Sequence, residues 1–328
     1  MEKRRLGKNG PQIGPLGLGC MVLSSSYGTA DPEESKATIL RAIDLGCNFL
    51  DTADIYGAGH NERLVGQAIQ GRRDEVVLAT KFGFVCDGQG KVVGRNGSPA
   101  YVREACEASL RRLGVETIDV YYLHRVDPKV PVEETVCAMA ELVAAGKVRH
   151  LGLSEASAEQ VRRASRVAPI AALQSEYSLW ERGPEQEILP VCRELGVGFV
   201  AFSPLGRGIF SGTLSKGGIG SGDFRSALPR FEEANLARNL EAVGTLDEFA
   251  KGKHCSASQL ALAWIVHKGD NMAAIPGTRR RKHLDENLGA LDIALSETDV
   301  AELDGIFQAE MFAGERYAEG SVFRPEAV

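Results

Sequence analysis

Four side chains that can carry or transfer a proton lie at or just after the ends of three predicted β-strands. Asp51 and Tyr56 follow the second strand of the chain, Lys81 lies near the end of the third, and His124 ends the fourth. The carboxyl ends of parallel strands meet at one rim of a barrel, where functional side chains are usually found. We therefore expect a carboxylate, a phenol, an amine and an imidazole to lie close together.

These four residue types suit the reduction of a carbonyl group by hydride transfer. The carbonyl oxygen needs a proton donor, and a phenol such as Tyr56, with an ordinary pKa of about 10, is a weak acid unless a cation stabilises the phenolate. Lys81 can supply that cation, and Asp51 can keep it charged. His124 can donate a hydrogen bond to the substrate oxygen. Each residue alone is more often structural, but a connected set on adjacent strands favours catalysis.

Short apolar runs alternate with longer amphipathic stretches along the chain, which is the pattern of repeated βα units. Eight units are predicted, with strands at residues 16–20, 48–53, 76–82, 118–124, 148–154, 171–177, 198–203 and 273–276. Most of these runs are apolar at consecutive positions, as expected for strands covered on both faces. The sequence therefore predicts an α/β fold of the (β/α)8 TIM-barrel class.

Capping residues mark where several helices should begin and end. Two helices are expected to start with a capping side chain before a proline, at Asp31-Pro32 and Ser98-Pro99. Two more should start with a capping box, formed by Ser157 with Gln160 and by Ser256 with Gln259. Apolar spacing of three to four residues predicts helices at 32–45, 99–113, 132–145 and 158–167, and the first three are followed by Gly46, Gly114 and Gly146.

The ends of the chain and one internal segment lie outside the eightfold pattern. The first fourteen residues, with a turn at Lys8-Asn9-Gly10, predict a hairpin across the barrel floor. The stretch from Ser296 onward predicts an extra helix and a tail, and residues 211–229, rich in Gly and Ser, predict a long mobile loop. Because no linker divides the chain, residues 1–328 are expected to form a single barrel domain.

Composition excludes several classes of partner. Lys and Arg number 38 against 44 Asp and Glu, so the net charge of −6 argues against a general nucleic-acid or membrane-binding surface. The seven cysteines are scattered, without a C-x-x-C pair or a histidine at metal spacing, which predicts free thiols and no metal site. No segment is apolar enough for a signal peptide or a membrane span. We therefore expect a cytoplasmic protein.

The motifs around the four polar residues resemble those of the aldo-keto reductases, whose catalytic tetrad is Asp, Tyr, Lys and His in this order. The matching segments are 48–57 (NFLDTADIYG) and 79–83 (ATKFG), and the likeness continues through 17–21, 152–155, 201–206 and 275–278. The resemblance implies a (β/α)8 barrel that reduces aldehydes or ketones with NADPH. It also implies that Tyr56 is the general acid and that Asp51, Lys81 and His124 complete the tetrad.

The cofactor positions are also assigned through this resemblance, since neither a G-x-G-x-x-G nor a P-loop motif fits a nucleotide site here. Ser154 and Gln174 would hold the nicotinamide and Phe202 would stack on it. The pyrophosphate would lie at Ser203, Pro204, Leu205, Gly206 and Arg207. The 2′-phosphate would lie at Gly277, Thr278, Arg279, Arg280 and Arg281, and the adenine at Glu286 and Asn287. The run 279–282 (RRRK) places four cations at a helix N-terminus, where an anion is the natural partner. The family binds the 2′-phosphate there, so the resemblance implies NADPH rather than NADH, although Gly277 replaces a lysine common in the family.

Substrate identity stays open among aldehydes, ketones, sugars, quinones and natural products. Candidate pocket residues are Tyr27, Arg125, Asp127, Trp180, Tyr317 and Phe323. The expected partner is a small carbonyl compound, and the oligomeric state is undetermined. Two alternatives remain: a Schiff-base aldolase that uses Lys81, and a binding module that keeps barrel and cofactor but hardly turns over, as in the similar potassium-channel β subunits.

Overall fold

The computed structural model describes residues 1–24, 26–212, 214, 219–220, 222–308 and 311–325. Its strands are β1 Arg4–Arg5, β2 Gln12–Ile13, β3 Leu18–Gly19, β4 Phe49–Asp51, β5 Val77–Phe82, β6 Phe84–Cys86, β7 Val92–Arg95, β8 Ile118–Leu123, β9 Val148–Ser154, β10 Ile170–Glu176, β11 Gly198–Phe202 and β12 Met272–Ala274. Its α-helices are α1 Pro32–Asp44, α2 His60–Ala68, α3 Pro99–Leu113, α4 Val132–Ala144, α5 Ala158–Val167, α6 Ile188–Leu195, α7 Glu233–Gly252, α8 Ala257–His267, α9 Arg281–Leu288 and α10 Glu297–Ile306.

Eight of the strands form one parallel sheet that closes on itself. They pair in the order β3-β4-β5-β8-β9-β10-β11-β12. Parallel bridges then join the first strand to the last, between Leu16 and Ala274 and between Gly19 and Gly277. With helices surrounding this closed sheet, the fold is the predicted (β/α)8 barrel.

Alternation along each strand divides the buried residues into two apolar clusters. Tyr122 of β8 points into the barrel with Phe49 and Val200. Its neighbour Tyr121 points outward and belongs to the cluster between the strands and the helices, as does Leu173 of β10. Because successive side chains of a strand point to opposite faces, and both faces are covered here, the strands read as nearly continuous apolar runs.

The first strand lies very close to both of its neighbours. A Cβ atom at Gly17 would lie 2.7 Å from the carbonyl oxygen of Phe49, and one at Gly19 would lie 2.6 Å from that of Ile275. Real Cβ atoms do not approach oxygen that closely, so these two glycines allow the first strand to fit between β4 and the segment after β12.

The helix-capping predictions are confirmed. The side chain of Asp31 accepts a hydrogen bond from the Glu33 amide at 2.9 Å, and both predicted capping boxes are present. The helices predicted at 99–113 and 158–167 have those bounds, and those predicted at 32–45 and 132–145 end one residue earlier. The strand predicted at 273–276 is instead Met272–Ala274, although the backbone beyond it still contacts both neighbours: the Ile275 amide donates to the Ala201 carbonyl at 3.0 Å, and Gly277 bridges Gly19.

The N-terminal hairpin closes the end of the barrel where the strands begin. Strands β1 and β2 pair antiparallel, and Leu6 and Ile13 join the inner apolar cluster. The Arg4 guanidinium donates to the carbonyl of Met272 at 2.9 Å, at the start of β12. The hairpin therefore forms the predicted barrel floor, at the opposite end from the polar residues that follow the strands.

Three segments surround the other end of the barrel. A second hairpin, β6 with β7, was not predicted and follows β5 at the rim. The predicted C-terminal helix is present as α10, followed by a tail at residues 311–325. Of the predicted loop at 211–229, residues 213, 215–218 and 221 lie outside the described residues, and two short 3-10 helices, Phe224–Ala227 and Pro229–Phe231, form its second half.

No helix in the described ranges is both long and apolar enough to span a membrane.

Candidate active site

The four predicted polar residues meet at the carboxyl ends of β4, β5 and β8. Asp51 is the last residue of β4, Lys81 lies in β5 and His124 directly follows β8. Tyr56 lies in the loop after β4, in a turn in which its amide donates to the Ala53 carbonyl at 3.2 Å. Gly57 and Ala58, both with positive φ, continue this turn. The local chain path thus returns the phenol towards the strand ends.

Lys81 is the centre of the polar cluster. Its ammonium is fully buried and donates to the Thr52 carbonyl at 2.9 Å and to the Tyr56 hydroxyl at 3.2 Å. It also forms an ion pair with Asp51. The second oxygen of Asp51 accepts a hydrogen bond of 2.8 Å from the Gln174 side-chain amide. All three donor positions of the ammonium are therefore used, and its orientation is fixed.

The two groups at the centre of the cluster hold their protons. Burial favours the neutral form of Lys81, but Asp51 and Tyr56 outweigh this effect and raise its pKa above the ordinary value. Burial raises the pKa of the Tyr56 hydroxyl, and the nearby Lys81 ammonium offsets only part of the increase. The acidifying influence predicted for Lys81 is thus present but smaller than the effect of burial, so the phenol is protonated at neutral pH.

His124 faces Tyr56 in an apolar environment. The two ring centroids lie 5.9 Å apart at 82°, and the Phe84 ring packs against the other side of the imidazole at 4.9 Å. Burial and the nearby charges of Lys81 and Arg125 hold the pKa of His124 well below its usual range. Its Nδ1 atom is buried without a hydrogen-bond partner among the described residues. The imidazole is therefore neutral and can donate one hydrogen bond.

A cavity of about 860 Å³ opens beside this cluster. Asp51, Tyr56 and His124 line one end, while Lys81 lies behind them. Most residues predicted to bind the cofactor line the remainder: Ser154, Gln174, Phe202, Ser203, Pro204, Leu205, Arg207, Gly277, Thr278, Arg279, Arg280, Glu286 and Asn287. Gly206 and Arg281 do not line it. Arg281 instead pairs with Glu34 of α1 at 2.9 Å.

Residues 278–280, which we call the arginine end, line the cavity just before α9. The Thr278 hydroxyl accepts a hydrogen bond from the Arg280 amide at 3.2 Å, and Arg279 donates to the carbonyls of Gly28 and Thr29 at 2.8 and 2.6 Å. Arg280 is exposed, and its guanidinium has no partner in the described parts of the chain. Helix α9 begins directly after it. This donor set, with a helix N-terminus beside it, fits a phosphate group.

The guanidinium of Arg207 is already paired within the protein. It donates to Glu176 at 3.0 Å and to the Tyr317 hydroxyl at 3.0 Å, and its backbone φ is 56°. Arg316 of the C-terminal tail binds Glu176 as well, at 3.1 Å, and also pairs with Glu155. Sequence reasoning missed this network because its contacts join residues 31 to 161 positions apart and no local pattern connects them.

The candidate pocket residues have different positions. Tyr27, Arg125, Tyr317 and Phe323 line the cavity. Trp180 does not line it, because its ring packs at 5.7 Å against both Phe231 and Phe312 in the apolar layer below the tail.

Asp127 has a structural contact, since its carboxylate accepts a hydrogen bond from the Gly97 amide at 2.9 Å. Phe224 and Arg225 also line the cavity but were not predicted. They lie within the Gly- and Ser-rich segment, which shows no apolar period that could have marked them.

Known proteins resemble this chain over most of its length. The model of the aldo/keto reductase family matches residues 15–308. A glycerol dehydrogenase from Gluconobacter oxydans is 30% identical, with a TM-score of 0.85 over 93% of this chain and 94% of that one. An aldo-keto reductase from Bacillus halodurans is 30% identical, with a TM-score of 0.79 over 94% of this chain and 97% of that one. An aldo/keto reductase from Klebsiella pneumoniae in complex with NADP and acetate is 30% identical, with a TM-score of 0.73 over 97% of this chain and 99% of that one. The chain therefore belongs to the aldo/keto reductase family.

Proposed function

We propose that this protein reduces aldehydes or ketones to alcohols with NADPH, with Tyr56 as the general acid. The observation that carries the proposal is the contact of 3.2 Å between the Tyr56 hydroxyl and the buried Lys81 ammonium, beside a cavity of about 860 Å³. When bound, NADPH supplies the hydride that the carbonyl carbon accepts. The side chains of the protein orient and protonate the carbonyl oxygen.

Tyr56 is suited to give a proton to that oxygen. Its hydroxyl holds the proton until the carbonyl oxygen gains negative charge, because burial raises its pKa. Once the proton leaves, the phenolate lies next to the Lys81 ammonium, which stabilises it. Asp51, held in turn by Gln174, keeps the ammonium charged and in place. His124, whose imidazole is neutral and lines the cavity, would donate a hydrogen bond that orients the carbonyl.

The contacts of Lys81 also count against the aldolase alternative. A Schiff base requires an uncharged amine that the substrate can reach. The Lys81 amine is fully buried, its pKa is raised, and three neighbours accept hydrogen bonds from it. It is therefore a fixed cation rather than a nucleophile.

The preference for NADPH rests on the arginine end. Arg280 and Arg279 would bind the 2′-phosphate together with Thr278, and the N-terminus of α9 would add its partial positive charge. Ser154, Gln174 and Phe202 line the same cavity, with Gln174 bonded to Asp51 at 2.8 Å, and would hold the nicotinamide. A relative from Klebsiella pneumoniae is described in complex with NADP, which supports the same cofactor here.

A pair of tyrosine variants tests the proposal. Tyr56→Phe removes the proton donor and is expected to lower kcat by about 10² to 10⁴-fold, the usual contribution of a general acid. Tyr121→Phe is the matched control, because its hydroxyl is buried in the outer layer without a partner among the described residues and does not line the cavity. The measurement is the loss of NADPH absorbance with a panel of aldehydes and ketones.

Two outcomes would contradict the proposal. Retention of most of kcat in Tyr56→Phe would exclude the phenol as the acid. A wild-type protein that binds NADPH tightly but reduces no member of the panel would instead favour the binding-module alternative.

A further inference from the structure

Arg125 lies at the catalytic end of the cavity, directly after His124. It lines the cavity although only 4% of its surface is exposed. Its guanidinium donates to the His124 carbonyl at 2.6 Å, the Ser154 hydroxyl at 3.3 Å, the Phe323 carbonyl at 3.1 Å and the Tyr317 hydroxyl at 3.4 Å. Every one of these acceptors is uncharged.

The other arginines around this rim, one buried and two partly buried, differ from Arg125 in one respect. Arg207 pairs with Glu176 at 3.0 Å and Arg316 pairs with Glu155 at 2.9 Å. Arg225, which also lines the cavity, pairs with Asp223 at 2.7 Å. Across the ranges that the structure describes, no carboxylate lies within ion-pair distance of Arg125. A buried cation without a counter-charge is unfavourable, and a carboxylate is the partner that guanidinium geometry suits best.

The hydrogen-bond inventory of Arg125 leaves room for such a partner. A guanidinium has five N–H donors, and the contacts above use one on Nε, two on Nη1 and one on Nη2. One Nη2 donor has no acceptor among the described residues. Since the side chain lines the cavity beside His124, a substrate bound there is positioned to supply the acceptor and the missing charge.

We propose that the substrates of this enzyme are carbonyl compounds that also carry a carboxylate, which Arg125 binds while Tyr56 and His124 hold the carbonyl oxygen. This inference rests on the proposed carbonyl reduction and adds the substrate class. Neutral carbonyl compounds leave the charge of Arg125 unpaired and are poorer substrates. The aromatic side chains of Tyr27, Phe224 and Phe323, which also line the cavity, pack against the carbon skeleton between the two groups.

Matched substrates separate this role from support of the C-terminal tail, which Arg125 also contacts. Two pairs of different length are used: 4-carboxybenzaldehyde with methyl 4-formylbenzoate, and succinic semialdehyde with butanal. In the wild type, kcat/KM is expected to favour the acid of at least one pair by about 10 to 100-fold, the range for a hydrogen bond to a charged group. A purely structural effect of Arg125 would change both members of a pair equally.

The variants then assign the preference to one residue. Arg125→Gln is expected to reduce the preference to within about threefold, and Arg125→Lys to keep part of it, because the charge remains but the paired donors are lost. Arg225→Gln is the control, since Asp223 already neutralises Arg225 and its removal leaves the preference unchanged. Equal treatment of acid and neutral partner by the wild type, or a preference that survives in Arg125→Gln, overturns the inference.

A binding measurement distinguishes failure of this inference from failure of the proposed reaction. Calorimetric titration of the NADP⁺ complex with 4-(hydroxymethyl)benzoate is expected to show binding that Arg125→Gln weakens at least tenfold. If no carbonyl compound is reduced but this binding is seen, the carboxylate site is supported and the proposed reaction is wrong. If neutral carbonyl compounds are reduced well and no carboxylate binds, the reaction stands and the substrate class is wrong.

Discussion

The two ends of the cavity are built in different ways. At the catalytic end, Lys81 is bonded to both Asp51 and Tyr56, and all three are carried by strand ends or a short turn. Lys81 and Asp51 are buried, and Tyr56 is partly buried. At the arginine end, Arg280 is exposed on a loop and has no partner within the described residues. The first end is therefore complete before a ligand arrives, whereas the second is completed by the anion it binds. Loss of one group should accordingly damage catalysis at one end and affinity at the other.

The largest effect is expected from breaking the catalytic end at its centre. Lys81→Met removes the cation beside Tyr56 and leaves Asp51 buried without a counter-charge, so we expect kcat to fall by about 10² to 10⁴-fold. Lys147→Met, a surface control whose ion pair with Glu107 is exposed, should leave kcat within about twofold. Single-turnover reduction followed by NADPH absorbance measures both. A small loss in Lys81→Met would show that the cluster is structural.

A smaller effect is expected at the arginine end, and it should appear in binding. Arg280→Gln removes a cation that no described residue neutralises, so the dissociation constant for NADPH should rise about tenfold while that for NADH hardly changes. Arg281→Gln is the matched neighbour, because Arg281 is already paired with Glu34 and should contribute less than threefold. Fluorescence titration of both variants with both cofactors gives the four dissociation constants. Equal effects of the two variants would refute the assignment of the phosphate to Arg280.

The smallest effect concerns the pH dependence of the catalytic end. His124 has a lowered pKa in the folded protein because of burial, Lys81 and Arg125. As the pH falls below the ordinary histidine pKa of about 6.5, His124 therefore binds a proton in the unfolded chain but not in the folded chain. The free energy of unfolding decreases over this pH range. One proton changes the free energy of unfolding by at most about 1.4 kcal/mol per pH unit. Urea unfolding from pH 7.5 to 5 should show a steeper loss for the wild type than for His124→Gln.

The features of this molecule also differ in how well they could be predicted from the sequence. Asp51, Lys81 and His124 end strands that are apolar on both faces, so their place at one rim followed from chain order and the geometry of a parallel barrel. Helix starts such as Asp31 and Ser157 were equally local, since a cap involves residues only two or three apart. Predictions of this kind need no knowledge of tertiary contacts.

Other positions depend on contacts that sequence does not encode locally. Arg281 lies in the basic run with Arg280, yet α1 places Glu34 within 2.9 Å of it and turns it away from the cavity. Trp180 follows a strand end as a pocket residue would, but the tail covers it. The pairing of Arg207 with Glu176 and Tyr317 joins three distant segments in the same manner. Tertiary neighbours, and not residue type, decided these cases.

The contribution of the C-terminal tail has a consequence for synthesis. Tyr317 and Phe323 line the cavity, and Arg95 and Arg125 donate to backbone carbonyls of the tail. A ribosome-bound chain that has emerged only to residue 308 already contains every barrel strand and α10, but it lacks this wall. Since domains begin to fold while translation continues, the nascent barrel can present its tetrad to solvent before the tail covers it. Ribosome-stalled chains of graded length would then bind cofactor earlier than they discriminate between substrates.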